Sequence, residues 1–397
     1  MKKDWTYKKL GEVAKVQNGF AFKSNLFRNE GFPIVRISNI QSEEIDTKGI
    51  VYFSKKDYDV NFDGFRIFPN DILIAMSGGT TGKIGINQTD NIFYQNQRVG
   101  VIREDEKKLN HKYLYYYLHT KSEESLKIAA GAAQPNLSTA QIKNFEIPLP
   151  PLSEQSRIVS RLDAAFVEIE GLKAKAEAQL REARTLFQAA LTQEMKPKQG
   201  WEEKKLGEVA ESMADGPFGS NLKKEHYTTN KEVRIIQLSN IGEEGWKEGN
   251  TKYTTFKHLE TIQRSEVKPG DIVIAKMMPA GRAILCPDKD EKYVLSSDAV
   301  RATLKEDFDR RFIMFTINSA YFRKQVYANV SGSGRVRTSL TKLRNCKLSL
   351  PPLPVQQSIV SRLDALSEKV RELEETQKKV IAECDALKQA LLREVFE

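Results

Sequence analysis

The sequence predicts an α+β protein with two related globular domains, placed about an approximate twofold axis and separated by an antiparallel two-helix coiled coil. Three observations lead to that fold class. The segment LPPLSEQSRIVSRLDA (Leu149–Ala164) returns almost unchanged as LPPLPVQQSIVSRLDA (Leu350–Ala365). A stretch with helical periodicity follows each copy. The excess of positive charge lies in the two long segments and is missing from the two short ones, with net charges of +4 over 1–152, zero over 153–197, +7 over 198–353 and −2 over 354–397.

The duplication covers whole domains. KKLGEVA occurs at Lys8–Ala14 and Lys204–Ala210, IVRISNI at Ile34–Ile40 answers IIQLSNI at Ile235–Ile241, and PNDILIA at Pro69–Ala75 answers PGDIVIA at Pro269–Ala275. The offset stays between 196 and 201 residues, far longer than the period of a solenoid. The predicted organisation is therefore a first globular domain at 1–152, a central helix at 153–197, a second globular domain at 198–353 and a C-terminal helix at 354–397.

The total of 397 residues exceeds one comfortable core and suits two or three domains. Hydrophobic residues at 40% and charged residues at 29% fit a folded chain. With no run of about 18 apolar residues, no membrane partner is expected, and MKKDWTYKKL lacks the apolar region of a signal peptide. Cys286, Cys346 and Cys384 form no CxxC pair and no disulfide framework, which suits a reducing cytoplasm. The four histidines are dispersed, so no zinc site is predicted.

Each helix announces itself. In the second, Ile359, Leu363, Leu366, Val370, Leu373, Val380, Cys384, Leu387 and Leu391 keep steps of three and four, interrupted at Gln377. In the first, Ile158, Leu162, Ile169, Leu172 and Leu186 hold the seam. Ala165, Ala176, Ala183 and Ala190 fill smaller positions, and Phe166, Leu180 and Phe187 widen the stripe. Gly171 weakens that helix by about 1 kcal/mol. Ser153 is the expected N-cap, with Glu154 in the first turn, and Pro354 replaces Ser153 in the second copy, which is tolerable only at a helix entrance. The first helix should stop before KPKQG.

A helix of about 42 residues spans roughly 63 Å, whereas a domain of about 150 residues has a radius of gyration near 15 Å. Each helix must bury its seam on something equally long, and the other helix is the obvious partner. A parallel pair would need the second helix to start back at the first domain. An antiparallel pair needs no such reach, and a dumbbell follows.

In the repeated LPPL-x-x-Q entrance, the IVSRLDA continuation and the KKLGEV opening, the chain resembles the specificity subunit of type I restriction–modification systems over nearly its whole length. The second copy reads VQQ (Val355–Gln357) where the family has EQ. The resemblance implies two target-recognition domains, each reading half of a bipartite site in double-stranded DNA. It implies helices that space the half-sites and dock two modification subunits. Those partners would bind S-adenosylmethionine and methylate adenine N6, and restriction subunits would use ATP and Mg to translocate and cut. No cofactor is assigned to this chain. The basic recognition segments fit phosphate contact. Because the domains diverge while the helices agree, an asymmetric target with unequal halves is expected.

The DNA-binding candidates are polar or basic residues in loop-like segments that differ between the copies. In the first domain they are Gln17, Asn18, Lys23, Thr80, Thr81, Lys83, Gln95, Asn96, Gln97, Arg98, Gln134 and Asn136. In the second they are Asn221, Lys223, Lys224, Lys276, Arg282, Arg335, Arg337 and Thr338. The segment SGSGRVRTS (Ser331–Ser339) combines glycines that let the backbone approach with arginines able to grip phosphate or pair with guanine.

Motifs for catalysis do not emerge. SGGTTGKIG (Ser77–Gly85) lacks the first P-loop glycine, and Lys83 is followed by Ile84 rather than Ser or Thr, so it reads as a turn between strands. The Pro-Pro pairs follow leucine and mark helix entrances, not an adenine methyltransferase pocket. HKYLYYYLHT (His111–Thr120) reads as a core helix, as does its counterpart RRFIMFTINS, and Trp5 and Trp201 read as packing residues. The alternative from another class is an enzyme, a nuclease or methyltransferase with unrecognised motifs.

Overall fold

The computed structural model describes residues 5–41, 44–130, 136–243, 245–249, 251–277, 279–328 and 337–397. The chain divides into two compact units, one of residues 1–176 with 379–397 and one of residues 177–378.

The first unit contains β1 (Thr6–Lys9), α1 (Leu10–Val13), β2 (Ala14–Asn18), β3 (Phe32–Val35), β4 (Val51–Phe53), β5 (Arg66–Ile67), β6 (Ile72–Ala75), β7 (Ile84–Ile86), β8 (Phe93–Gln95), β9 (Val99–Glu104), α2 (His111–Thr120), α3 (Ser122–Ala130), α4 (Thr139–Lys143) and β10 (Glu146–Leu149). The long helix α5 (Leu152–Glu194) begins there. An antiparallel sheet runs β2-β9-β6-β7, a second runs β4-β3-β8-β5 with β3 and β8 parallel, and β1 pairs with β10.

The second unit repeats the order with β11 (Glu202–Lys205), α6 (Leu206–Val209), β12 (Ala210–Asp215), β13 (Tyr227–Thr228), β14 (Val233–Ile236), β15 (Tyr253–Thr254), α7 (Phe256–Thr261), β16 (Glu266–Val267), β17 (Ile272–Ala275), β18 (Ala283–Leu285), β19 (Lys292–Leu295), β20 (Ala299–Leu304), α8 (Arg310–Asn318), α9 (Ala320–Ala328), α10 (Leu340–Asn345), β21 (Lys347–Leu350) and α11 (Leu353–Phe396). Its sheets run β12-β20-β17-β18 and β13-β15-β14-β19-β16.

The recurring sequence motifs now have causes. In KKLGEVA, the backbone N–H of Lys9 donates to Glu12 Oε1 at 3.2 Å and that of Lys205 to Glu208 Oε2 at 2.6 Å, so the glutamate closes a short helix from below. The runs ILIA and IVIA are buried on both faces, which is why they read as continuous apolar strands. Ile72 and Ile74 pack toward the helices while Leu73 and Ala75 pack between the sheets, and Ile272, Ile274, Val273 and Ala275 divide the same way.

The sixteen-residue repeat clamps each long helix to its own globular part. Gln155 is buried, donating to the carbonyls of Lys108 (2.9 Å) and Pro150 (2.8 Å) and accepting from the Asn110 N–H at 2.8 Å. Gln356 donates to Pro351 O at 2.9 Å and accepts from the Asp309 N–H at 3.1 Å. Asn110 and Asp309 are in turn the N-caps of α2 and α8. Farther along, Asp163 takes Lys112 (2.7 Å) and the Tyr116 hydroxyl, and Asp364 takes Arg311. Ile158, Leu162, Ile359 and Leu363 are buried beneath these pairs. The expected aromatic helix packs inward, with the Tyr113 and Tyr117 hydroxyls donating to Pro148 O and Glu146 O, both at 2.9 Å. Trp201 packs against Phe312.

Antiparallel pairing is visible within each unit. In the first, Glu170 meets Lys388 at 2.9 Å and Lys173 meets Asp385 at 2.7 Å, while Phe396 lies against Tyr113 with ring centres 4.9 Å apart. In the second, Arg184 meets Glu374 at 2.6 Å and Glu194 meets Arg362 at 3.0 Å. Rising numbers on α5 face falling numbers on α11.

The seam itself requires a correction. Ile158, Leu162, Ile169, Ile359, Leu363 and Val370 are buried, and Leu366, Val380 and Leu391 pack partly buried against the cores. Leu172, Leu186, Leu373 and Leu387 instead stand 53%, 59%, 37% and 49% exposed. On α5 the buried line is set by Phe166, Ile169, Ala176, Ala183 and Phe187; Lys173 and Phe187 occupy the facing positions, one residue after the two leucines. On α11 the line steps four residues from Val370 to the buried Glu374, not three to Leu373. A four-residue step inserted into a heptad pattern shifts the seam, and Leu373 and Leu387 stand off it while Leu391 and Leu392 still pack inward. A second correction concerns the entrance. α5 begins at Leu152, with the Pro151 carbonyl accepting from Glu154 N–H at 2.9 Å and Gln155 N–H at 3.0 Å, so Ser153 lies inside the first turn and is not the N-cap.

Candidate nucleic-acid interface

In an antiparallel sheet, strand ends determine which loops meet. Asn18 at the end of β2 faces Gly100, and Ala75 at the end of β6 faces Val99 at the start of β9. The loops after β2, after β6 and between β8 and β9 therefore gather at one end of the first unit. The segment before α4 joins them, since Asn136 bridges Ser77 and the Leu137 N–H donates to Met76 O at 2.8 Å. The Met76 N–H donates to Arg98 O at 2.9 Å, tying a third loop to the same point.

The second unit repeats this backbone arrangement with other side chains. The Lys276 N–H donates to Asp298 O and the Thr338 N–H to Lys276 O, each at 2.8 Å, while Met277 bridges Arg337. Lys276 Nζ lies 2.9 Å from Asp215 Oδ1, and Arg337 lies 3.2 Å from Asp298. A Cβ on Gly19 would collide with the Gln95 carbonyl, and one on Gly216 with the Ser296 carbonyl. Both loops thus leave the sheet through the same close backbone approach, which only glycine permits.

One edge is lined by amides, Asn18, Asn96, Gln97 and Asn136, with Arg98 exposed beside them. The other carries Asp215, Lys276, Asp298 and Arg337. Amide groups match the donor–acceptor pair of adenine; arginine and lysine match guanine, and a carboxylate accepts from cytosine. The same four-loop geometry therefore presents two chemistries.

A family model described as "Type I restriction modification DNA specificity domain" matches twice, over residues 2–180 and 198–383. The chain belongs to that family. It is similar to the EcoBI specificity subunit of Escherichia coli, 22% identical over 99% of this chain and 85% of that one, and to the StySPI specificity subunit of Salmonella potsdam, 24% identical over 99% and 88%. The putative MjaX specificity subunit of Methanocaldococcus jannaschii is 25% identical over 95% of this chain and 92% of that one. Among solved structures, a chain of a type I R-M system complex superposes with a TM-score of 0.72, at 20% identity, over 98% of this chain and 96% of that one. The HsdS subunit from Thermoanaerobacter tengcongensis follows at 0.53, 19% identical over 100% and 97%. These likenesses carry the fold.

On this type I specificity fold, the predicted site residues separate into three groups. Asn18, Lys23, Gln97, Arg98, Asn221, Lys223, Lys224 and Arg337 are exposed, and Asn96 and Asn136 are half-buried at the same edge. Others are braces, contrary to the open-loop expectation. Gln95, 1% exposed, donates to the carbonyls of Gln17 and Val99, both at 2.7 Å, and Gln17 itself donates to Gly64 O. Lys276 and Thr338 are buried behind the backbone bonds that join their loops. The last group lies toward the helices. Thr81 is buried with its hydroxyl on Gly78 O at 2.7 Å, Thr80 is half-buried in the same turn, and Gly82 abuts Ser122 and Ser125 of α3. Lys83 lines a cavity with His119, Glu123 and Arg393. Arg282 reaches Leu238 O at 3.4 Å and Glu243 at 3.7 Å, and burial depresses its pKa. Gln134 and Arg335 lie outside the described residues. SGGTTGKIG is a turn between β6 and β7, as its failed P-loop spacing predicts.

Sequence reasoning passed over Phe218, 84% exposed on the loop after β12. It also gave no role to Gln155 and Asp163 of the repeat. Their recurrence was the available signal: the Gln and the IVSRLDA run return in both copies while Ser156 and Arg157 between them are replaced by Gln357 and Ser358.

Proposed function

We propose that the chain is the non-catalytic specificity subunit of a type I restriction–modification complex, acting in the cytoplasm. Each four-loop edge reads one half of an asymmetric bipartite site in double-stranded DNA. The paired stretches of α5 and α11 set the spacing and dock two methyltransferase subunits, which use S-adenosylmethionine to modify adenine N6. Restriction subunits driven by ATP and Mg join that assembly. The observation that carries this reading is the duplicated edge with conserved backbone bonds and exchanged side-chain chemistry. Base contacts specify sequence, while phosphate contacts position the protein, so one scaffold with two linings suits two different half-sites.

The experiment is co-expression with the modification subunit, followed by sequencing of methylated sites. A bipartite motif with unequal halves is expected; a palindrome with equal halves overturns the reading. The enzyme alternative predicts methylation by the chain alone with S-adenosylmethionine.

A further inference from the structure

The most exposed large apolar side chain of the described residues is Phe218, at 84%. A single exposed phenylalanine is ordinary on a protein surface; its mounting here is not. Gly216 is pressed against the Ser296 carbonyl and donates its N–H to Ala299 O at 3.0 Å. Pro217 is buried. The Asn221 N–H then closes back on the Phe218 carbonyl at 2.7 Å, and the Asn221 carbonyl meets His258 Nε2 at 2.9 Å. His258 stacks on His226 with ring centres 4.1 Å apart, and His226 Nδ1 accepts from the Lys223 N–H at 3.1 Å. The turn is fixed at both ends and offers the ring to solvent.

The duplication supplies an internal control. The loop after β2 leaves the sheet through the same glycine approach, but its aromatics turn inward. Phe22 is 8% exposed, with its ring 4.5 Å from that of Phe53, and Phe20 stands 5.2 Å from Phe62. The fold therefore does not require an outward ring at this place. The position of Phe218 at the loop-bearing edge points to the occupant. Residues 216–224, GPFGSNLKK, lie between Asp215 and Glu225 and end in the exposed Lys223, 3.7 Å from Glu225, and the exposed Lys224. The loop leaves the same sheet end that carries the Lys276–Asp215 and Arg337–Asp298 pairs. A rigidly held, outward apolar ring next to exposed lysines, at the edge already assigned to DNA, matches a duplex, where phenylalanine wedges insert between base pairs.

Resting on the specificity-subunit reading, the geometry points to Phe218 as a wedge that enters one base step of the half-site read by the second unit and unstacks it. The Asn221 turn holds the ring, and Lys223 and Lys224 hold the phosphates beside it. No counterpart acts in the first unit, so the two half-sites differ in deformation as well as in bases.

The test uses the full chain co-purified with its modification subunits and duplexes carrying 2-aminopurine at successive positions of both half-sites. Binding should raise fluorescence several-fold at one step of the second unit's half-site. The F218A variant should lose that rise and keep salt-dependent DNA binding and any signal at the methylated adenine. The F218W variant should restore it. Wild-type binding without a Phe218-dependent rise overturns the wedge and leaves the specificity reading intact. An F218A chain that no longer co-purifies with the modification subunits makes this a protein contact and also overturns it. A wild-type complex that binds no DNA overturns both readings.

Discussion

Arg184 Nε lies 2.6 Å from Glu374 Oε1, and Glu374 is only 3% exposed on the helix seam of the second unit. Lys378 completes the pair at 3.3 Å. The corresponding place in the first unit holds the reverse charges, Lys173 and Asp385 at 2.7 Å. Each helix pair therefore carries, among its ion pairs, a polar contact whose sign differs between copies, the kind of device that fixes register in coiled coils. Replacing Arg184 with Ala leaves a buried carboxylate with less compensation and should cost about 1–3 kcal/mol. The E374L variant, which removes the charge and keeps an apolar seam, should be neutral or stabilising. The R184E/E374R double variant should recover most of what R184E loses. Denaturant unfolding of the four variants, R184A, E374L, R184E and R184E/E374R, measures this.

The same glutamate sets a pH dependence. Its hydrogen bond to Arg184 holds its pKa below the ordinary carboxylate value despite burial. A depressed folded value means the stabilisation is complete above the unfolded pKa, near 4.3, and fades as pH falls through the folded value. Thermal unfolding of wild type should thus lose stability below about pH 4.5 more steeply than that of E374Q.

The buried glutamines explain why the sixteen-residue segment is written twice. Replacing Gln155 or Gln356 with Leu strands the N–H groups of Asn110 and Asp309 and the carbonyls of Pro150 and Pro351. Each change should cost about 1–3 kcal/mol, or a Tm drop of roughly 2–10 °C. Calorimetry of the two variants checks it. Substitution of the neighbouring exposed Ser156 should leave Tm unchanged.

Much of the fold was legible because duplication and heptad spacing are properties of sequence alone. Offsets near 200 residues placed the two domains, and steps of three and four placed α5 and α11. The leucines misled at Leu172, Leu186, Leu373 and Leu387 because a residue at i+3 and one at i+4 are equally compatible with a helix face. Ion-paired Lys173 and Glu374, and the larger ring of Phe187, take the i+4 positions in place of the leucines. At the interface, differences between copies located the loops but could not tell a reader from a brace. Gln95 and Lys276 look like open-loop polar residues in one dimension; their burial depends on strands about 80 and 60 residues away that pair beside them.

Lys223 and Lys224 should act on phosphate. Converting both to Ala should weaken binding about equally for all sequences and flatten the log K against log salt slope by roughly 0.9 per lost contact. Variants of Asn96 and Gln97 should instead relax specificity at individual bases. Binding titrations at several salt concentrations separate the two behaviours.

The central claim, that each edge reads its own half-site, is tested most directly by sequencing methylated sites made by edge variants. The chain is co-expressed with its modification subunit, carrying either N18A/Q97A/R98A or D215A/R337A. The account predicts a bipartite motif in which the first set alters one half only and the second set alters the other half only. Changes in both halves from either set, or a motif with identical halves, would contradict it.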